Sequence, residues 1–483
     1  TLERLFKLKP LKINLRFENM RALIISVILI LQGLVIMAQP GNNMTLLSNW
    51  NNLNLPTLSG KQRFNDVWGW YDSTNAREYA ILGSIDSVYF IDITDPYNPV
   101  IADVEPGRAK KIIWRDIDTY KNYCYVVCHG AAGSLQIFDM KYLPDSVHLV
   151  YDSDSLLNRS HTIYRSGDFL YCNTAYTKDG GRRAVQALSL ADPEKPTLAG
   201  IIIPPVFSNG PLFNLCHDSY VRNDTLYCSG EGSGLFIYDW RNKLSPRLIG
   251  SITNYSDKGY NHSSWLTDDS KYLVFTDENL NLGVKIFDVS DLDNMEEQSV
   301  FYSNPGTLAH NPYIKNNHLY LSYYEEGVVV YDIQNPKNPV KIASYDTYPD
   351  NPPGVYNGFY GAWAAYPFLP SGNILVSDMT YGLFVLGVSP TLNSENLNLK
   401  LVDLYPNPIQ QNQWVNLEFS LRDEELLEIS LNDIKGIELK KQIHNGEIGT
   451  NKTKINLSEI PSGVYLLKIS GSKSHICRKI VVQ

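Results

Sequence analysis

Four of the nine histidines in this 483-residue sequence recur at one repeated position: Ser160-His161-Thr162, Cys216-His217-Asp218, Asn261-His262-Ser263 and Ala309-His310-Asn311. Each stands about ten residues before a tyrosine (Tyr171, Tyr227, Tyr272 and Tyr320), so all four share one register. A turn at Asn223-Asp224 folds the chain back so that Glu231 lies opposite His217. Equivalent turns bring Asp277 and Glu278 near His262, and Asp378 near Trp363. The second repeat offers Arg115-Asp116 in place of histidine, and the first offers Asn65-Asp66.

Three readings fit a mouth ringed by imidazoles and carboxylates. Histidines from adjacent repeats plus one carboxylate can hold Zn or Mn with a position open to water, and His161, His217, His262 and His310 are the candidate ligands. A polar pocket can instead bind a carbohydrate, peptide or anion without catalysis, through the histidines, Asp66, Asp116, Glu231, Asp277, Glu278 and Asp378, with Trp68, Tyr323 and Trp363 as aromatic walls. The third reading is structural: duplicated repeats keep histidine because it bonds to the neighbouring repeat and to channel water. A metal-assisted hydrolase built on the ring would use Glu231 or Asp277 as general base. No Gly-x-Ser-x-Gly elbow, His-Glu-x-x-His pair or phosphate-cradling glycine loop accompanies it, and Gly180 to Arg183 reads as a hairpin tip.

The elements that must position these residues repeat about every fifty residues. Their signature is an apolar strand ending in aspartate: Val88 to Asp92, Leu135 to Asp139, Leu235 to Asp239, Val284 to Asp288 and Val328 to Asp332, with weaker copies at Val185 to Ser189 and Leu383 to Gly387. Asp-Pro or Asn-Pro turns follow at Asp95-Pro96, Asp192-Pro193 and Asn335-Pro336, and a fourth strand comes after each. Seven such repeats in an all-β chain predict a seven-bladed β-propeller over residues 41–390, with the histidine strand innermost in its blade. The seventh repeat lacks a fourth strand, and Met44 to Asn49 carries that pattern ahead of the first repeat. The N-terminal segment is therefore expected to close the ring and remove two open sheet edges.

Composition bounds the rest. With 32 Tyr, 32 Gly and 26 Pro the chain favours short strands and tight turns, and a formal charge of −9 leaves no basic stripe for nucleic acid. Residues 20–38 read as a signal peptide, an apolar run from Ala22 to Met37 behind Arg21 with a cleavage site near Ala38, so no membrane span is expected after cleavage. Residues 1–19 read as an upstream extension ahead of a start at Met20. Of the six cysteines, Cys124, Cys172 and Cys228 are expected as small buried residues, and Cys216 with Cys228 is the pair whose bridging merits a test.

A polar linker at 391–400 precedes a change of texture at Tyr405-Pro406-Asn407-Pro408. Strand-like runs at 415–421, 427–431, 454–457 and 464–469, separated by glycine turns, predict a small C-terminal β-sandwich over 401–483.

Two family resemblances follow from these residues. Asn65 to Gly69, Trp114 to Ile117, His262 to Asp268, Ala309 to Lys315, Gly361 to Trp363 and Pro370 to Asp378 resemble the LVIVD-repeat propellers called choice-of-anchor B proteins. That resemblance implies export and display at the cell surface and brings no activity with it. Tyr405 to Pro408, Asp433 to Gly436, Ile460 to Tyr465 and Lys479 to Gln483 resemble the type A sorting domain of the type IX secretion system of Bacteroidetes. It implies passage across the outer membrane by that machinery, acting through residues 401–483, followed by surface attachment or release. The expected function is an exported ligand-binding or scaffold module for an extracellular carbohydrate, peptide or protein, and the alternative is a metal-dependent extracellular hydrolase at the same mouth.

Overall fold

The computed structural model describes residues 43–388 and 399–483, apart from 59, 131–132, 209, 353, 357, 412, 422, 434–437 and 472–474. The expected signal peptide at 20–38, the extension at 1–19, nearly all of the linker at 391–400 and most of the Asp433 to Gly436 turn lie outside the described residues. Two units separate, residues 1–389 and 390–483. Among the described residues no helix is long and apolar enough to cross a membrane.

Short apolar stretches punctuated by turn residues leave strands as the regular element of the first unit, which contains seven four-stranded antiparallel sheets. The first sheet is Phe64–Asp72, Arg77–Ser84, Ser87–Asp92 and Val100–Pro106. The next six open with Trp114–Tyr120, Thr162–Ser166, Ser219–Arg222, Asn261–Leu266, Pro312–Lys315 and Ala362–Tyr366. These opening strands contact one another in succession, and that of the seventh sheet returns to that of the first. The arrangement is propeller-like.

Each signature forms the third strand of its sheet, where both faces are covered: Val88, Phe90 and Ile91 are fully buried. Its terminal aspartate opens the next turn by accepting the backbone N–H two residues on, as in Thr94 to Asp92 (2.9 Å), Lys141 to Asp139 (3.0 Å), Ser290 to Asp288 (3.0 Å) and Gln334 to Asp332 (2.8 Å). Neighbouring sheets share cores. Trp70, Tyr79 and Phe90 of the first, for instance, pack with Cys124, Val126 and Phe138 of the second. Cys124, Cys172 and Cys228 are buried among such apolar neighbours, and Cys216 and Cys228 are both free thiols.

The seventh sheet takes its fourth strand from the other end of the unit, with Met44–Trp50 running antiparallel to Gly382–Val388. Leu47 and Trp50 thereby pack on the core that holds Phe64, Leu375 and Val385. Removing residues 43–50 strips about 5 kcal/mol of apolar burial from Met44, Leu47 and Trp50 and bares a strand edge. Such a variant is expected to unfold about 10 °C or more below wild type and to associate, which calorimetry and size-exclusion chromatography read. A two-stranded hairpin, Val206–Phe207 with Gly210–Pro211, interrupts the repeat between the third and fourth sheets and has no counterpart in the repeat pattern.

The second unit has a three-stranded sheet (Leu399–Tyr405, Trp414–Leu421, Gly449–Asn456) and a four-stranded one (Glu438–Gly446, Glu425–Asn432, Gly463–Ser470, His475–Val482). Alternate residues Val415, Leu417 and Phe419 of one meet Leu427, Ile429, Leu431 and Leu467 of the other in a single core. Three of these strands, 399–405, 438–446 and 475–482, are additional to those legible as apolar runs. In 438–446 the burial pattern is largely exposed, so little apolar alternation marks it.

Candidate functional site

The recurring histidines sit where their opening strands begin. His161, His217 and His310 each donate a backbone N–H to the carbonyl of the residue twelve positions on (Asn173, Ser229 and Ser322) at 2.8 to 2.9 Å, which gives all three the same backbone pairing. In the first, fifth and seventh sheets a bulge occupies the same place, between Phe64 and Val67, Asn261 and Ser263, and Ala362 and Ala364. Bulges re-aim side chains, and here they carry Asp66, His262 and Trp363.

These strands enclose a cavity of ≈ 560 Å³ whose lining includes Asp66, Trp68, Asp116, Glu278, Trp363 and all four histidines. Glu231, Asp277, Tyr323 and Asp378 do not line it. The hairpins fold back as expected, but the residue facing the axis lies one position further along than Asp277, Tyr323 and Asp378: it is Glu278, Tyr324 and Met379. Asp277 points between strands to the buried Lys285 ammonium (2.6 Å) and the Tyr255 hydroxyl (2.9 Å). Tyr323 packs among Val274, Ile286 and Leu321. Glu231 accepts the Tyr260 hydroxyl at 2.9 Å, and Tyr260 stands edge-on to His217.

Asp378 accepts bonds from Thr380 N, Tyr381 N and the Thr347 hydroxyl, yet full burial pushes it up to about 7. Because its folded value exceeds its unfolded one, the stability it contributes is complete below about pH 4 and is lost as pH rises through 7. Asp378→Asn is therefore expected to match wild type near pH 4 and to exceed it by a few kcal/mol above pH 7. Thermal unfolding at pH 5 and pH 8 checks the sign.

A fifth histidine, His129 at the end of Tyr123–His129, extends the row. Its Nδ1 lies 2.9 Å from Nδ1 of His161, and Nε2 of His161 lies 2.8 Å from Nε2 of His217. The rings of His217, His262 and His310 then follow at centroid spacings of 4.2 and 4.3 Å. Burial, then neighbouring imidazoles, holds His161, His217 and His262 well below the usual histidine range, and burial brings His310 to about 4. All four are neutral at pH 7.

Their tautomers follow from their partners. His310 donates from Nδ1 to the Trp363 carbonyl at 2.6 Å. His262 Nδ1 lies 3.0 Å from Ser263 Oγ, which also reaches the His310 carbonyl (2.9 Å) and Thr276 Oγ1 (3.2 Å); with the serine proton on that carbonyl, the proton between ring and hydroxyl is His262's. Both rings are left with a bare Nε2, at 3.8 and 3.9 Å from the two oxygens of Glu278. Those gaps are too long for hydrogen bonds and suit a cation shared between lone pairs. Ligand atoms of His217, His262 and Glu278 all lie within 4.8 Å of one another, a set borderline divalent ions accept. Glu278, which accepts the Tyr324 hydroxyl at 2.6 Å, is pushed by burial up to about 7.

Beneath the row, carboxylates join neighbouring sheets. Asp66 accepts Ile117 N (3.1 Å), Asp116 accepts Ile163 N (2.6 Å) and Asp118 accepts Arg165 N (2.6 Å). Asp218, one residue past His217, accepts the Thr162 hydroxyl at 3.1 Å. Burial raises Asp66 and Asp116 well above the carboxylate range and brings Asp118 and Asp218 to about 7. Trp265 stacks on Phe368 (5.5 Å between centroids) and meets Tyr164 (5.8 Å) and Tyr313 (5.1 Å) edge-on, Tyr313 meets Trp68 edge-on at 6.3 Å, and Tyr164, Trp265 and Phe368 also border a second hollow beside Arg165 and Arg222.

Residues 403–483 match the family described as secretion system C-terminal sorting domain. The chain therefore carries the sorting tail of the type IX secretion system, is directed to that machinery, and reaches the cell surface or extracellular space. No curated protein is significantly similar to the sequence. Solved structures similar to it include the periplasmic gluconolactonase of Pseudomonas aeruginosa (11% identity, 82% of this chain and 99% of that one, TM-score 0.45). Others are putative 6-phosphogluconolactonases of Bacteroides uniformis (10%, 76% and 95%, 0.45) and Bacteroides fragilis (11%, 83% and 99%, 0.45). At those values the likenesses bear on neither ligand nor activity.

Proposed function

We propose that this protein is an exported seven-bladed propeller of the choice-of-anchor B type, cleaved of a leader at 20–38 and joined by the linker at 391–400 to its sorting domain. Its function is to bind a small extracellular ligand in the imidazole-lined cavity, around a divalent ion held by His217, His262 and Glu278 with His310 beside them. The observation that carries this reading is the pair of bare Nε2 atoms facing one carboxylate. A Zn or Mn ion held by these residues would supply a Lewis-acidic position for a ligand oxygen or nitrogen.

A metal-dependent hydrolase at the same cavity is the second reading, favoured by one observation, the rise of Glu278 to about 7, where a general acid–base group works at neutral pH. Glu231 and Asp277, the bases expected from the sequence, are engaged by Tyr260 and Lys285. Glu278 cannot both ligate the ion and move a proton. Metal analysis of the secreted protein, followed by assay of the loaded protein on chromogenic esters and amides, separates the outcomes. Stoichiometric metal without turnover supports the binding module, metal with turnover that Glu278→Gln abolishes while still retaining its metal supports the hydrolase, and absence of metal leaves the row a structural device.

A further inference from the structure

The mouth of the cavity is chemically divided. Imidazoles of the third to sixth sheets and Glu278 occupy one arc. The opposite arc belongs to the seventh, first and second sheets and the segments leading into them, and it presents Leu58, Ile112, Ile113, Trp114, Phe359 and Met379. The polar residues these sheets add to the lining are Gln62, Asp66, Lys111, Arg115, Asp116 and His129; Asp66, Arg115 and Asp116 are bonded to backbone groups and His129 is engaged with His161. Trp114 is 47% and Phe359 50% exposed, although both border a concave site where a ligand would cover them. Ile113 and Met379 of this arc join Ile85, Leu308 and Tyr324 in one apolar cluster against which Leu58 and Trp363 pack, so the apolar members of the arc are backed by a common core.

We infer that the ligand is a small carboxylate bearing an aromatic or branched hydrocarbon substituent, and this rests on the metal reading above. Its carboxylate enters the open position of the ion between His262 and Glu278, and its substituent lies on Trp114 and Phe359. A cavity of ≈ 560 Å³ has the size for one such molecule. A sugar would set hydroxyls against the apolar arc and leave them unpaired, at a cost in affinity. A bare inorganic anion would leave that arc wet.

The test uses the full chain loaded with Zn, with acetohydroxamate and benzohydroxamate as probes that share one metal-binding head. Benzohydroxamate is expected to bind roughly tenfold or more tightly than acetohydroxamate, the gain from covering a phenyl ring. In the Trp114→Ala, Phe359→Ala double variant that ratio is expected to fall to near one while acetohydroxamate affinity is unchanged. Both side chains are half exposed, and the unchanged acetohydroxamate affinity reports that the site remains folded. If the chain takes up no Zn, the metal reading fails and this inference fails with it. If Zn is bound and the double variant keeps the wild-type ratio, the apolar arc does not hold the substituent, and this inference alone is overturned.

Discussion

The full chain given a slight excess of zinc and then desalted is expected to retain about one ion per chain, and His262→Gln and Glu278→Gln are each expected to weaken retention on the order of 100-fold or more. The size follows from position. Both residues face the gap that the ion would fill, whereas outer residues that only orient metal ligands already change affinity 10- to 100-fold. Zinc at a hundred times its dissociation constant should add about 2.7 kcal/mol to wild-type stability, a readable rise in the melting temperature. Apo forms of wild type and variants should melt close together, since glutamine replaces each side chain with a neutral hydrogen-bonding group. Wild-type protein that keeps no zinc and gains no stability from it would sink the metal reading. The four recurring imidazoles would then be retained for their structural bonds to neighbouring repeats, the third of the readings drawn from the sequence.

A chain truncated after Val388 is expected to fold its propeller-like unit normally and to fail to appear outside the cell. The two units have separate cores, and the sixteen buried residues of the C-terminal core, Ile409 to Val482, include none from the first. Loss of residues 389–483 therefore removes the sorting signal without opening the seven sheets. In a type IX-competent host, fractionation and immunoblotting should move the protein from surface and medium to the periplasm. The melting temperature of the purified first unit should match the corresponding transition of the full chain. Truncated protein that still reaches the medium would show that export does not depend on the sorting domain.

Much of this architecture was legible because the repeat carries physical constraints that a sequence displays. An apolar strand covered on both faces must end where Asp92, Asp139 or Asp332 can open a turn, and those aspartates mark the period. The missing fourth strand of the last repeat and the spare one at Met44 are visible for the same reason. What a two-residue alternation cannot resolve is parity beside a bulge. At the hairpin ends Asp277 and Glu278 were both candidates and only Glu278 lines the cavity, while Tyr324 and Met379 line it where Tyr323 and Asp378 were the choices by type. Tyr324 adopts φ 43 in a tight turn, a conformation rarely anticipated for tyrosine. His129 lies off the repeat position, on a second strand, so register did not mark it. Asp118 within its strand and Asp218 just ahead of Ser219–Arg222 read as ordinary polar residues, and only the pairing between sheets reveals them as cross-links.

The clasp between Met44–Trp50 and Gly382–Val388 also bears on how the chain folds. Asn49 donates to the Tyr381 carbonyl across 332 residues of sequence, so this contact closes a loop nearly as long as the unit itself. Loop-closure entropy makes such a contact unfavourable until the intervening sheets have formed, and high contact order makes it slow. The last strand pair therefore cannot lock while the C-terminal part of the unit is still being delivered. The unit is kept open by its own topology until its final repeat has been delivered, and the first and last strands of the seven-sheet unit pair only then.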